Sequence, residues 1–363
     1  VREQDLPELI SILSYFEQIR PDGLIVQDLG VINLVREYFP DLELHGSTLM
    51  TAHNSLFAEV LGSMGMTRVV AAREMTLKEL RVLVKKSPID IEVFVHGAMC
   101  FSYSGLCLFS SYLGGKSGLR GNCVQPCRRK YTISGGTGAG RSKGPSGGYC
   151  FSMNDLSGIE MVPELRKMGV ASLKIEGRLR SATYVRNVVG AYRMVLDSGS
   201  EPSGKVLAEA SEMIEEAMGR KTSTGYFLSP QPRDSIISQH SGNIGKYLGR
   251  VEQVEKRGEK LVGVLRLKHG CSAGDRLRVH LENGDKRIPF RLRSLWLDNA
   301  ECRNADKGQK IGIVLPPEIK YREATGKIEV FCVDVQSRLE PFTEGETRLD
   351  LPQKTKRLID RKA

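Results

Sequence analysis

An α/β chain of repeated β/α units, followed by a small domain of antiparallel strands, is the fold this sequence predicts. Three observations lead there. Short β-branched runs alternate with amphipathic stretches over residues 1–200, the sequence form of parallel β/α units. From residue 241 the pattern changes to short strands separated by tight turns. The 363 residues, 40% of them hydrophobic, suffice for one large core and a second, smaller one.

In the first region strands are expected at residues 23–27, 42–45, 67–72, 91–96 and 171–175. Each ends in polar residues: Gln27-Asp28, His45-Gly46-Ser47-Thr48, Arg73-Glu74, His96-Gly97 and Glu176-Gly177-Arg178. In a parallel β/α barrel the C-terminal strand ends form the active face, so polar residues converging there suit a site. Taken singly, Asp28, Ser47 and Thr48 read as caps of helices and turns. Residues 134–148 are Gly/Ser-rich without periodicity and predict a mobile loop. Helices resume at 154–168 and 181–196, and after the turn at 198–204 another runs to about residue 219. The expected organisation is a β/α catalytic domain over 1–200 with a cysteine-rich loop at 97–150, and a helical connection over 201–240. A small β-barrel follows over 241–335, with a strand at 261–268 and a hairpin at Asn283-Gly284 joining 276–280 to 287–291. Residues 336–363 read as a charged tail or linker.

The formal charge of +10 matters less than its distribution. Between Phe101 and Cys150 stand seven basic residues (Lys116, Arg120, Arg128, Arg129, Lys130, Arg141 and Lys143) and no acid. Residues 241–300 carry thirteen basic and seven acidic residues. These stretches together exceed the whole-chain charge, and an anionic partner competes with plain solvated surface as their explanation. No apolar run approaches the roughly 20 residues of a membrane-spanning helix, and no basic-then-apolar leader opens the chain, so no membrane partner and a cytoplasmic location are expected.

Eight cysteines in a cytoplasmic chain point to metal rather than disulfides. Five of them, Cys100, Cys107, Cys123, Cys127 and Cys150, share one segment, while Cys271, Cys302 and Cys332 are scattered. Structural zinc prefers paired Cys-x-x-Cys knuckles, whereas iron-sulfur clusters accept looser spacing. The spacing here favours a cluster. Neighbouring cations such as Arg120, Arg128 and Arg129 are expected to lower thiolate pKa values and to stabilise an anionic cluster.

At these residues the chain resembles the collagenase-like U32 peptidase family. The motifs are Glu92-x-Phe94-Val95-His96-Gly97-Ala98-Met99-Cys100, Tyr103-Ser104-Gly105-x-Cys107-x-x-Ser110-Ser111 and Arg120-Gly121-x-Cys123-x-x-Pro126-Cys127-Arg128. They continue through Ser152-x-x-Asp155-Leu156 and Ser172-Leu173-Lys174-Ile175-Glu176-Gly177-Arg178. The resemblance implies a (β/α)8 TIM-type barrel. Family members begin with three β/α units before the one containing Gly23, so a partial barrel lacking its first strands is expected.

Better-understood relatives are oxygen-independent hydroxylases of RNA bases or of a quinone precursor. They use a 4Fe-4S cluster, with prephenate implicated as hydroxyl donor. The basic cysteine loop and basic β-barrel favour RNA as partner, ribosomal RNA (a large-subunit cytidine) first and transfer RNA second. A collagenase-like peptidase with structural metal is the competing class, although no His-Glu-x-x-His zinc motif is present. Cys100, Cys107 and Cys123 match the family's ligand positions. The fourth ligand is Cys127 or, alternatively, Cys150, with Cys127 favoured because it shares a short loop with Cys123. Lys174 and Glu176 alternate onto one face of their strand, with Arg178 just beyond. Lys174 and Arg178 are expected to hold an anionic co-substrate, Glu176 to move a proton, and His45 and His96 to act as acid or base or to touch substrate. A structural Lys–Glu pair is the alternative.

Overall fold

The computed structural model describes residues 1–132, 147–178, 180–217, 221–232, 234–236, 245–281, 287–298, 300–319 and 327–334. Its first half alternates strictly: α1 (Leu6–Ile19), β1 (Leu24–Val26), α2 (Leu29–Tyr38), β2 (Leu44–Gly46), α3 (Ser55–Ser63), β3 (Arg68–Val70), α4 (Leu77–Lys86) and β4 (Asp90–Ala98). Local chemistry marks the helix starts. Asp28 caps α2 by accepting from the Gly30 and Val31 amides, Asn54 caps α3, and Thr76 with Glu79 forms a capping box on α4.

The cysteine segment follows, with α5 (Phe109–Gly114) and two-residue strands β5 (Tyr131–Thr132) and β6 (Gly147–Gly148). Then come β7 (Asp155–Ser157), α6 (Val162–Met168), β8 (Ser172–Ile175), α7 (Ala182–Asp197), α8 (Gly204–Ala217) and β9 (Thr222–Ser223). Strands β1, β2, β3, β4 and β8 pair in parallel in that order. Among the described residues β1 and β8 each pair with one strand. All five strands expected from the sequence are present, shifted by one or two residues.

The nine-residue β4 is the hub. It pairs with β3 on one side and β8 on the other, and its end also pairs antiparallel with β7. Alternation sends Ile91, Val93 and Val95 to one face and Glu92 and Phe94 to the other. The core gathers Leu44, Val69, Val95, Leu80, Leu165 and Val188, all at most 1% exposed. Behind the end of β4, Tyr192 of α7 donates to the Val95 carbonyl (2.7 Å) and accepts from the Gly158 amide (3.2 Å). The helix expected at 154–168 forms only from Val162. Its first residues are recruited into β7, where Asp155, Leu156 and Ser157 face Ala98, Gly97 and His96, and sheet pairing overrides local helical pattern.

A second, antiparallel sheet runs in the order β14-β13-β19-β10-β11-β18-β15-β16. Its strands are β10 (Lys246–Arg257), β11 (Lys260–Arg266), β13 (Arg276–Leu281), β14 (Arg287–Arg291), β15 (Leu295–Leu297), β16 (Ala300–Cys302), β18 (Lys310–Val314) and β19 (Ile328–Asp334). The short strands β12 (Cys271–Ser272) and β17 (Asn304–Ala305) pair separately. A separate apolar cluster, including Leu248, Leu265, Leu277, Val279, Leu295, Ile311 and Val330, packs this region. β13 and β14 pair as the sequence implies, with His280 opposite Arg287. The Asn283-Gly284 turn, the loop at 133–146, residues 237–244 and the tail from 335 lie outside the described residues.

The Tyr192 hydroxyl joins three elements in a dry site. Replacing Tyr192 by Phe should cost about 0.5–1.5 kcal/mol in urea unfolding, because the Val95 carbonyl and Gly158 amide lose a partner but keep the bond between them.

Candidate metal centre

The cysteine segment lies across the C-terminal ends of the parallel strands because every strand end takes hold of it. After β1, Gln27 Nε2 donates to the Leu119 carbonyl (3.3 Å). After β2, Leu49 abuts Gly105, whose added Cβ would lie 3.2 Å from Leu49 Cδ2 and 4.0 Å from Cys100 Sγ. After β3, Glu74 accepts from the amide and hydroxyl of Ser104 at 2.6 and 2.5 Å. Cys100 itself follows β4. After β8, Arg178 Nη2 donates to the Gly121 carbonyl (2.9 Å). Arg128 closes the segment on itself, donating to the Met99 carbonyl (3.0 Å), to Ser152 Oγ (3.1 Å) and to the Met153 carbonyl.

Within this frame Cys100 and Cys127 come within electrostatic range of each other and of Cys107 and Cys123. Cys100 feels the charges of Cys123 and Cys107, and Cys127 feels those of Cys100, Cys123 and Cys107. Cys150 enters neither neighbourhood and directs its thiol to the Gly148 carbonyl at 3.7 Å. The backbone amides of Phe109 and Gln125 point at Cys107 Sγ and Cys123 Sγ, both at 3.4 Å, and Ser110 Oγ lies 3.5 Å from Cys123 Sγ. Donors aimed at sulfur stabilise thiolate and tune cluster potential. Among the described residues no three His, Cys, Asp or Glu side chains are set to grip a single ion.

The cations act less simply than the sequence implies. The Cys100 thiol is pushed up by desolvation first, and Arg73 and Arg128 pull against it. Cys100 is exposed when its whole surface is counted, but ionisation depends on the crowding around the sulfur. The Cys127 thiol is likewise raised by burial, opposed by Arg128. Burial therefore outweighs the arginines while the thiols are protonated. Arg120 acts on neither sulfur and pairs with Asp5 at 3.6 Å.

The other expected site residues are spread over two environments. Lys174 pairs with Glu92 at 2.6 Å, not with Glu176, and its Nζ stands 5.5 Å from the Phe94 ring centroid. Glu176 accepts from the Arg178 amide (2.9 Å), and its backbone approaches Gly97 so closely that a Cβ there would sit 2.4 Å from the Glu176 carbonyl oxygen. His45 is 8% exposed and bonds Glu43 at 2.9 Å. That bond, with a second from Thr67, holds the Glu43 carboxyl below its usual range. His96 is 1% exposed and packs on α7, 3.3 Å from the Tyr192 hydroxyl and against the ring of Tyr184. Desolvation lowers its pKa to about 4, so it is neutral and interior rather than substrate-facing.

Several neighbours were not singled out from the sequence. Arg73 donates to the Ala98 carbonyl (3.0 Å), stacks over Phe94 at 3.9 Å and is the strongest cation on Cys100. Ser104 is fully buried in a left-handed backbone (φ 44°), clamped by Glu74. Tyr103 stacks on His53 at 4.9 Å. Arg180 bridges buried Asp155 at 2.8 Å. The signal available was the polar pair after β3, Arg73-Glu74, which names the position but not its partners.

The fold and site define a β/α protein with four cysteines held over the C-terminal ends of its parallel strands. The chain belongs to peptidase family U32, whose pattern matches residues 1–236. It is 32% identical over 327 residues to an uncharacterized protease of Methanocaldococcus jannaschii, covering 87% of this chain and 79% of that protein. It is 36% identical over 228 residues to tRNA hydroxylation protein P1 of Bacillus subtilis, covering 60% of this chain and 53% of the relative. To the 23S rRNA 5-hydroxycytidine C2501 synthase of Escherichia coli it is 32% identical over 263 residues, covering 70% of this chain and 39% of that one. The chain thus spans 53% and 39% of the lengths of these last two relatives.

Two measurements check this geometry. In metal-free protein, iodoacetamide should label Cys100 at higher pH than a free cysteine, and Arg73→Gln should move labelling higher still by removing a cation that favours thiolate. His96 should make stability acid-sensitive. Its folded pKa lies below the unfolded value of about 6.5, so roughly 3 kcal/mol present above that pH should be lost as pH falls from 6.5 towards 4. His96→Gln should flatten that slope in urea titrations.

Proposed function

We propose that this chain is an oxygen-independent RNA hydroxylase that holds a 4Fe-4S cluster through Cys100, Cys107, Cys123 and Cys127. The observation that supports the reading is the gathering of Cys100, Cys107, Cys123 and Cys127 in one segment over the strand ends, with amides aimed at two of the sulfurs. The donor set fits the group: thiolates suit iron-sulfur chemistry, and a cluster spreads its ligands wider than a single ion does. Such a cluster supplies electron transfer and an iron site at which an oxygen-bearing substrate can be engaged.

Around it the chain's own residues would bind and orient. Arg178 uses one of its five N–H donors on Gly121 and is exposed, so the rest can meet a carboxylate, as prephenate would present. Lys174, neutralised by Glu92, serves the site by fixing β4 against β8 more than by holding an anion. Arg73 supplies positive charge directly beside Cys100. Glu176 would hold or release a proton at the edge of the thiol group.

The names of two relatives, together with the acid-free cysteine segment, favour RNA as substrate, ribosomal first and transfer second. An RNA substrate goes with a cytoplasmic location, and no helix among the described residues is long and apolar enough to cross a membrane. We read the five parallel strands as part of a β/α barrel, and the antiparallel strands β10 to β19 as a small β-barrel. The peptidase reading lacks a comparable constellation. Gly-x-Ser-x-Gly strings at 140–144 and 144–148 stand in a Gly/Ser-rich segment that lies largely outside the described residues, and its sequence shows no apolar periodicity of the kind that frames a nucleophile turn.

Anaerobic reconstitution should give brown protein with about four irons per chain. Serine at position 100, 107, 123 or 127 should remove most of the iron, and Cys271→Ser should not, because that sulfur is buried elsewhere. Mass spectrometry of ribosomal and transfer RNA from a deletion strain should show a missing hydroxylated nucleoside. A colourless zinc protein that cleaves gelatin would overturn the proposal.

A further inference from the structure

The antiparallel sheet carries a built cationic and aromatic face that the cluster site does not use. Alternation along β13 turns Leu277 and Val279, both 0% exposed, into the core and sends Arg276, Arg278 and His280 to the other face. Register then assembles rows across four strands. Arg291 stands opposite Arg276, and Arg287 opposite His280. On the other side Phe331 lies opposite Arg278 and Tyr247 opposite Phe331, while Glu329 lies between His280 and Arg250. Phe331 is only 6% exposed although it is no part of the inner apolar cluster. It is covered on the outer face by His280 at 4.4 Å and Tyr247 at 5.3 Å. Five arginines therefore surround an aromatic floor. The acids that register places with them are Glu329, which also takes Lys327 at 3.4 Å, and Asp334 opposite Arg276. Like charges crowd here: burial, then Arg287 and Arg276, lower the pKa of Arg278.

Resting on the reading of the chain as an RNA-modifying protein, we infer that the outer face of β14-β13-β19-β10 is a seat for single-stranded RNA. Its arginines hold phosphates, and the half-buried ring of Tyr247, backed by Phe331, carries a base. Arginine matches phosphate through paired N–H donors, which a lysine cannot do. Exposed bases stack on aromatic and guanidinium planes, whereas a duplex hides them. An acidic polypeptide would use the charge but leave the rings without work. The face therefore delivers a strand to the protein without reading much sequence, because nothing on it is arranged to distinguish base edges.

The test uses the full chain with its metal, and fluorescence anisotropy with labelled oligouridine. Arg250→Glu and Arg291→Glu, both at exposed positions, are the main variants, with Tyr247→Ala beside them and Lys260→Glu on β11 as control. Each arginine reversal should weaken binding on the order of tenfold and flatten the dependence of log affinity on log salt by about 0.7 per lost phosphate contact. Tyr247→Ala should lose affinity without changing that slope. Lys260→Glu should match the parent protein. If the parent binds oligouridine and both arginine reversals bind equally well, the face is not the seat, while the RNA reading survives on the cysteine segment. If the parent binds neither oligouridine nor an RNA hairpin, both readings fall. Polyglutamate competing as strongly as oligouridine would overturn the RNA assignment of this face. Iron content, measured in parallel, should be unchanged in every variant.

Discussion

The end of β4 is the constraint on which the rest of this protein depends. Gly97 takes a left-handed backbone (φ 109°) and leaves no room for a side chain against the Glu176 carbonyl. The Glu176 amide donates to the His96 carbonyl at 2.9 Å in the same place. β4 and β8 are thereby locked at the point where the chain leaves the sheet, and Cys100 follows two residues after the strand ends. A bulge between Phe94 and His96 completes the change of direction, and it turns His96 inward against Tyr192.

From that point the positions of the sulfurs follow from backbone chemistry more than from side-chain charge. The segment holding the four thiols has little regular structure, so its carbonyls and amides must find partners elsewhere. Gln27, Glu74, Arg128 and Arg178 supply them, each from a different strand end or loop. Arg128 thus combines two tasks. It satisfies carbonyls on both flanks of the segment and lends positive charge to Cys100 and Cys127. Arg73 divides itself similarly between the Ala98 carbonyl, the Phe94 ring and Cys100. Preorganised cations of this kind favour whatever negative charge the thiols share, without needing to move.

The polar layer beneath the segment has a different logic. Lys174 and Glu92 satisfy each other inside the sheet face, with Arg68 reaching Glu92 at 4.0 Å. Removing Lys174 would leave the largely buried Glu92 carboxylate without its nearest cation. The antiparallel sheet repeats the theme at its surface, where Glu329 stands among several arginines and the rings of Tyr247, Phe331 and His280 fill the space between.

The sequence by itself determined the order and type of the main elements. The five parallel strands and the β13-β14 pairing rest on period-2 apolar runs and turn residues, which are local signals. The clustering of Cys100, Cys107, Cys123 and Cys127 was visible for the same reason, since these thiols lie within one short stretch of chain. Tertiary structure alone decided what crosses between elements. It paired Lys174 with Glu92, diagonally across the β4–β8 register, while the Glu176 carboxylate accepts from the Arg178 amide beyond the strand end. It made Asp155–Ser157 a strand by offering the free edge of β4, against the helical pattern of the segment. It directed the Cys150 thiol to the Gly148 carbonyl and brought Arg73 into electrostatic range of Cys100, a partner that Arg73's neighbours in sequence do not name. Charge and periodicity are properties of a chain; proximity is a property of the fold.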